Sequence, residues 1–361
     1  MRILVVNAGS SSLKLRLLDD HDSVLRDADL PGDSDGRQVA AAVDGWGTPD
    51  AIGHRIVHGG TFFTGPVVVD DAVRRQLGEL IDLAPLHQPK SLAALDAVTA
   101  QWPDVTAVAS FDTAFHSTIP AAAATYAVPL DWRERYGIRR YGFHGLSHSY
   151  CASRAADLLD RPLADLRVVT CHLGAGASLA AVVDGRSVDT TMGFTPLEGL
   201  VMATRSGTVD PGLVLWLEEH EHLAPHEVAT ALEQRSGLLA LAGTGDMRKV
   251  EAAVDRGDPG AVLALDVYIH RLAGGIATMT VATGGLDVLV FTGGVGENSS
   301  LVRRRAAERL AFLGIAVDLY RNDYVGDDRD ITAAGAPVRT LVIGAREDIQ
   351  IAAEVRQLLD R

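Results

Sequence analysis

Hydrophobic positions fall into short runs separated by small polar turns. Ile3-Leu4-Val5-Val6 is a continuous apolar run, residues 7–12 (Asn-Ala-Gly-Ser-Ser-Ser) are small and polar, and Leu13-Lys14-Leu15-Arg16-Leu17 alternates with period two. This predicts strand, tight turn, strand. Mid-chain, residues 167–171 lead into His172-Leu173-Gly174-Ala175-Gly176-Ala177-Ser178 and the apolar stretch 179–183. The second segment repeats the first in outline, its register shifted by about a residue. A small-residue hairpin used twice predicts two related domains, each with a turn that admits a phosphate. A third unit follows at residues 288–298, where Val-Leu-Val-Phe-Thr runs into Gly-Gly-Val-Gly-Glu-Asn and then a predicted helix over 301–310. Further helices are predicted over 91–100 behind Pro89, and over 148–160, 211–222, 226–235, 261–283 and 346–360. Strands alternating with helices define an α/β protein. No Pro-, Gly- or Ser-rich linker parts the halves, so the domains are expected to abut with a cleft between them.

Composition narrows the picture. A chain of 361 residues has a prior of roughly two to three domains. With 33 basic against 47 acidic residues the net charge is −14, which argues against a general nucleic-acid or anionic-membrane binder. Cys151 and Cys171 are too few for a disulfide framework and fit a reducing cytosol. The apolar run at residues 3–6 is too short for a signal-peptide core, and no uninterrupted apolar run approaches the ~18 residues of a membrane span. The expectation is a cytoplasmic protein without a nucleic-acid or membrane partner.

The chain lacks G-x-x-x-x-G-K-[ST], a helix-opening G-x-G-x-x-G and H-E-x-x-H. P-loop NTPases, Rossmann dehydrogenases and zinc proteases lose ground together. What remains is a set of glycine-rich turns beside isolated polar residues. Asn7, Ser10, Ser12 and Lys14 put donors and one cation on the first hairpin, where small residues let backbone N–H groups approach a phosphate. Read alone, the segment serves equally well as a polar surface turn; the repeat at 172–178 favours phosphate. Arg55 and Arg205 each sit in small-residue surroundings, and planar guanidinium forks suit a carboxylate or phosphoryl group. A lone strand-end arginine such as Arg55 is also explained as a solvated charge or a salt-bridge partner. Asp112 closes the apolar stretch 105–111, where it would organise a metal or a nucleophile, or merely cap a helix. His144 lies in the turn Tyr141-Gly142-Phe143-His144-Gly145, an odd place for a core histidine.

Together these segments resemble the acetate kinase family, within the superfamily of actin, heat-shock ATPases and sugar kinases. Two signatures are specific: Val5-Val6-Asn7-Ala8-Gly9-Ser10-Ser11-Ser12-Leu13-Lys14 and Tyr141-Gly142-Phe143-His144-Gly145-Leu146-Ser147-His148. Supporting matches run in family order: Gly53-His54-Arg55-Ile56-Val57-His58-Gly59-Gly60, Leu83-Ala84-Pro85-Leu86-His87, Phe111-Asp112-Thr113-Ala114-Phe115-His116, residues 192–200, Thr204-Arg205-Ser206-Gly207 and residues 291–298. The resemblance implies two actin-like (ribonuclease H-like) ATPase domains of mixed sheet plus helices around a central cleft. The first would take residues 1–115 with 350–361, and the second, nucleotide-binding, residues 116–349. It implies Mg²⁺-dependent in-line transfer from ATP to acetate, giving acetyl phosphate and ADP, in a homodimer; Mn²⁺ is an alternative metal. Arg55 and Arg205 would hold the carboxylate and the phosphoryl group, and His144 and His87 would act at the same centre. Asp112 and Glu347 would organise the metal with Asn7. Ser12, Lys14, His172, Gly174, Ala175, Gly176, Asp246, Met247, Arg248, Gly294, Val295 and Gly296 would contact the nucleotide, and Val57, Leu86, Phe143 and Pro196 the acyl group.

Departures from the family pattern mark where to look. Ala175 stands where the family has Asn, removing a side-chain donor to nucleotide phosphate and predicting weaker or altered donor binding. ATP, GTP and pyrophosphate stay open as phosphoryl donors. Ala345-Arg346 replaces a polar pair before Glu347 and Asp348, so either acid is a candidate for the metal. Leu146 replaces Thr, Thr61 replaces Glu, and the segment between Lys14 and Arg55 is short. A propionate or other short-chain acid kinase is the nearest alternative. A non-catalytic module of the same fold, or a sensor that has lost catalysis, is further off.

Overall fold

The computed structural model describes residues 1–9, 12–32, 34–84, 88–324 and 326–360. The chain divides into two compact units. The first comprises Met1–Ser117, Phe143–Tyr150 and Arg346–Arg361, and the second Thr118–Gly142 and Cys151–Ala345.

The first unit holds β1 (Ile3–Ala8), β2 (Ser12–Leu18), β3 (Val24–Pro31), β4 (Ala51–Ile56), β5 (Val67–Val68) and β6 (Ala107–Phe111), in the sheet order β3-β2-β1-β4-β6-β5. β1, β4 and β6 are mutually parallel, while the hairpin strands β2 and β3 run antiparallel. The continuous apolar run of β1 is explained by cover on both faces. Leu4 and Val6 pack with Ala94 and Val98 of the helix Gln88–Gln101. Ile3 and Val5 pack with Ile351 and Val355 of the helix Glu347–Leu359. That helix lies so close to β4 that a Cβ on Gly53 would stand 2.5 Å from Ile351 Cγ2 and 2.9 Å from Val355 Cγ2. Leu146 is buried in the same cluster.

The second unit holds β7 (Arg167–Leu173), β8 (Ala177–Val183), β9 (Arg186–Thr190), β10 (Val288–Thr292), β11 (Arg329–Asp330) and β12 (Arg339–Val342), ordered β11-β12-β10-β7-β8-β9. This is the first sheet's order again, with β7 in the place of β1 and β10 in the place of β4. The hairpins explain the shifted register of the sequence repeat. Four residues lie in sequence between the paired Ala8 and Leu13, whereas three lie between the paired Leu173 and Ala177. Both turns close on a backbone bond, Gly9 N to Ser12 O at 2.8 Å and Gly174 N to Gly176 O at 2.9 Å. The helix Pro259–Ala282 is long and apolar enough to cross a membrane, but it buries Leu265, Tyr268, Ile269, Leu272, Ile276 and Met279 and is a core helix of this unit.

Three expectations are corrected. The helix at Pro89 starts earlier, at Gln88. The glycines after β10 do not lead directly into the next helix; they form a short helix of their own, Gly293–Asn298, ahead of Ser300–Arg309. Gly293 has φ +76°, and a Cβ there would meet the Leu173 backbone at 2.9 Å, so β7 and this turn touch only because the residue is glycine. Finally, residues 143–150 and 346–349 belong with the first sheet and not with the second. For the former, the reason is that the amides of His144 and Gly145 donate to Asp112, to its carboxylate and its carbonyl respectively.

Candidate active site

Three parallel strands end at one place, and a ligand site in an open α/β sheet forms outside such carboxyl ends. Asn7 lies near the end of β1, Arg55 near the end of β4, and Asp112 directly after β6. Glu347 joins them from the first turn of the final helix. The Arg55 guanidinium forks onto Asp112, Nε donating to Oδ1 at 2.8 Å and Nη2 to Oδ2 at 2.7 Å. Its Nη1 donates to Asn7 Oδ1 at 3.0 Å and lies 3.1 Å from Glu347 Oε2. Asn7 Nδ2 donates to the same Glu347 oxygen at 2.7 Å. Both acids are thus engaged, and Glu347 rather than Asp348 enters the cluster; Asp348 is held by Arg346 at 2.9 Å.

Electrostatically this is one cation facing two carboxylates, all nearly sealed from solvent: side-chain exposure is 12% for Arg55, 2% for Asp112 and 11% for Glu347. Burial alone lowers the Arg55 pKa, but Asp112 and Glu347 more than reverse it, and the guanidinium stays charged. Burial raises the Asp112 carboxyl; Arg55 opposes that shift and Glu347 reinforces it. The cluster is therefore one positive charge short of balance. Among the described residues no three His, Cys, Asp or Glu side chains group as metal ligands. The donors that do meet here are all oxygens, from two acids and an amide, and their net charge is negative. That set fits a hard divalent cation, which takes one or two protein carboxylates and completes its shell with water and phosphate.

His144 stands beside this cluster with φ +57°, an uncommon conformation for a residue with a Cβ. Gly145 is required next to it, because its N–H reaches Asp112 O at 2.9 Å and a Cβ there would collide with that oxygen. Phe143 and Val57 are buried. The Phe143 ring meets His58 edge-on at 5.5 Å, and its carbonyl contacts His116 Nε2 at 3.0 Å. Ser12 and Lys14 follow on β2, with Lys14 exposed and paired across the hairpin with Asn7. Ser10, Leu86 and His87 lie outside the described residues.

The remaining candidates belong to the second unit. His172 pairs with Ser178 on β8 and Thr292 on β10. In the Gly174–Gly176 turn Ala175 is exposed, and its carbonyl accepts from Ala203 N at 3.1 Å. Asp246 caps the helix Met247–Asp255, accepting from Arg248 N at 3.1 Å and pairing with the Arg248 guanidinium at 2.8 Å. Met247 is buried. Gly294 and Val295 lie in the short helix after β10, and a Cβ on Gly294 would meet nothing within 4 Å. Arg205 Nη1 donates to Pro196 O at 3.2 Å, and burial lowers the Arg205 pKa.

Two clusters carried no signal in the sequence. Arg303, fully buried, donates from Nη1 to the carbonyls of Gly296 and Glu297, both at 2.9 Å, and from Nε to Asn322 Oδ1 at 2.8 Å, clamping the end of the glycine helix. Arg140, Tyr126 and Glu198 come together around the loop that carries Pro196. Their residues lie in separate segments with no mutual spacing to read.

Comparison with known proteins shows the family and the fold. The model of the Acetokinase family matches residues 46–353, so this chain belongs to that family. It is 41% identical to an acetate kinase of Shouchella clausii, with 99% of each chain covered, and 44% identical to one of Clavibacter sepedonicus, with 97% of each covered. Among solved structures, the acetate kinase of Porphyromonas gingivalis superposes with a TM-score of 0.91 at 34% identity over 99% of both chains. A propionate kinase from Francisella tularensis superposes with 0.90 at 35% identity over 98% of both.

Proposed function

We propose that this chain is an acetate kinase, transferring the γ-phosphoryl group of ATP to acetate and giving acetyl phosphate and ADP. The observation that carries the reading is the sealed Arg55–Asp112–Glu347–Asn7 cluster at the ends of three parallel strands, an oxygen-rich site with net negative charge. Asp112, Glu347 and Asn7 are the residues that would hold Mg²⁺. When bound, the ion supplies positive charge to the phosphate oxygens.

An acetate oxygen attacks the γ-phosphorus in line, a P–O bond forms, and the bond to the ADP oxygen breaks. Little covalent chemistry falls to the protein, whose work is positioning and charge stabilisation. Arg55 has at most one N–H beyond its four contacts in this arrangement. Its first task is to fix the two acids, and it meets substrate with what remains. Arg205 and His144 supply donors to the transferring group. Val57 and Phe143 offer apolar contact to a short acyl chain. A propionate-kinase activity beside the acetate one is favoured by the propionate kinase of similar fold, since one methylene changes selectivity by only ~1–3 kcal/mol.

Replacing Arg205 with Leu tests the reading: phosphoryl transfer should fall by orders of magnitude while ADP still binds. Full activity in that variant would remove Arg205 from the mechanism. We infer also that the chain forms homodimers. The helix Pro211–His220 buries none of its residues and exposes Leu213, Leu215 and Trp216, an apolar surface suited to a second copy. Sedimentation should give a dimer that Trp216→Glu weakens; a wild-type monomer contradicts this. A cytoplasmic location accords with a chain whose two cysteines, Cys151 and Cys171, are both buried, and cell fractionation checks it.

A further inference from the structure

The loop of residues 191–199, which carries Pro196, is fastened along most of its length from within the second unit. Arg140 Nη1 donates to the carbonyls of Thr191 at 3.2 Å and Met192 at 3.1 Å, and its Nη2 donates to Glu198 Oε1 at 2.9 Å. One arginine thereby joins the two ends of the loop. The Tyr126 hydroxyl donates to the other Glu198 oxygen and accepts from Phe194 N at 3.1 Å. The Arg140 guanidinium lies over the Tyr126 ring, 5.5 Å from its centroid. Tyr141 N donates to Gly193 O at 3.0 Å. A Cβ on Gly193 would collide with both the Glu198 carboxylate and the Tyr126 hydroxyl, so this closure is possible only with glycine there. At the crest, the Pro196 carbonyl accepts from Arg205 Nη1 at 3.2 Å.

A loop tied at both ends around a half-buried ion pair and a phenol has little freedom to yield. We propose that Tyr126, Arg140 and Glu198 are positioning residues that fix Pro196 and Arg205, and through them set the selectivity between acetate and longer acids. This rests on the reading of Pro196 and Arg205 as acyl- and phosphoryl-facing residues. None of the three needs to touch substrate. The Tyr126 hydroxyl is the sensitive point, because it links Glu198 to the Phe194 amide in the middle of the loop. Removing it frees the Phe194 amide and lets the Pro196 turn give way to a longer chain.

The test uses the full chain as wild type, Tyr126→Phe and Glu198→Gln, the last retaining volume and part of the hydrogen bonding. Acyl phosphate is trapped with hydroxylamine for acetate and propionate, the KM for ATP is measured alongside, and amide hydrogen exchange is followed over residues 191–199. In both variants the acetate-to-propionate ratio of kcat/KM should fall at least threefold while the KM for ATP stays within twofold. Exchange should quicken at Phe194 and not across β7, β8 and β10. An unchanged ratio in an active variant overturns the proposal, as does a parallel loss for both acids and ATP, which marks a purely structural role. No acyl phosphate from the wild-type protein with either acid overturns the kinase reading itself, and the selectivity role with it.

Discussion

Replacing Arg55 with Gln strikes the centre of the site. The native guanidinium makes four polar contacts, two with Asp112, one with Asn7 and one with Glu347. Glutamine restores one hydrogen bond at best, worth about 1 kcal/mol. Asp112 and Glu347 are left buried and facing each other without a cation. Breaking a buried ion pair on one side costs about 3–5 kcal/mol, a large share of the ~5–15 kcal/mol that holds a typical protein folded. The pH dependence follows from the direction of the Asp112 shift. Burial already raises that carboxyl, and without Arg55 it rises further, so the folded variant binds a proton more readily than the unfolded chain. The deficit should therefore be largest at pH 7 and shrink as pH falls toward 5. A divalent cation should also stabilise the variant more than the wild type, since it replaces the missing charge. Urea unfolding followed by tryptophan fluorescence, at both pH values with and without Mg²⁺, reads all three effects. Phosphoryl transfer should drop roughly 10²–10³-fold. A variant as stable as wild type at pH 7, or one whose deficit ignores pH and cation, refutes the charge-imbalance argument.

Three further outcomes are expected. Burial depresses His54 to about 3, and His58 and His116 to about 4, so each resists protonation when folded. Stability should be flat above pH 6.5 and decline below it, by up to roughly 1.4 kcal/mol per pH unit for each histidine. His54→Leu should remove one such increment from an acid-unfolding curve, and an identical slope contradicts the assignment. Gly145→Ala forces a Cβ against the Asp112 carbonyl and 2.9 Å from Phe115 Cβ. It should cut kcat far more than it lowers Tm, whereas near-native kcat would show the close approach to be dispensable. Ala175 is exposed, so Ala175→Asn should leave Tm unchanged and lower the KM for nucleotide several-fold; unchanged KM and kcat would sink the idea that this position weakens donor binding.

Much of this was legible in the sequence because the turns demand particular residues. The two hairpins could be read because small residues separate their apolar strands, and their one-residue offset is the difference between the four residues from Ala8 to its partner Leu13 and the three from Leu173 to Ala177. The strand ends at Asn7, Arg55 and Asp112 could each be found singly. That Arg55 forks onto Asp112 could not, since parallel strands 50 residues apart in sequence show no register until they pair. The resemblance put Glu347 at the metal with Asp348 as the alternative, and the helix start turns the first acid to Asn7 and the second to Arg346. In the run Arg303-Arg304-Arg305 nothing local singles out Arg303, yet it is 1% exposed and holds the glycine helix, while its neighbours reach solvent. Tyr126, Arg140 and Glu198 belong to the same class: their meaning is created by tertiary contact and has no local pattern.

The central claim is that this chain phosphorylates a small carboxylic acid, and one measurement tests it most directly. Purified protein is incubated with Mg-ATP and, separately, acetate, propionate and butyrate, with hydroxylamine present to trap acyl phosphate. The account predicts trapped product that is highest with acetate, lower with propionate and lowest with butyrate. No acyl hydroxamate with any of the three, from folded protein that still binds ADP, would contradict it.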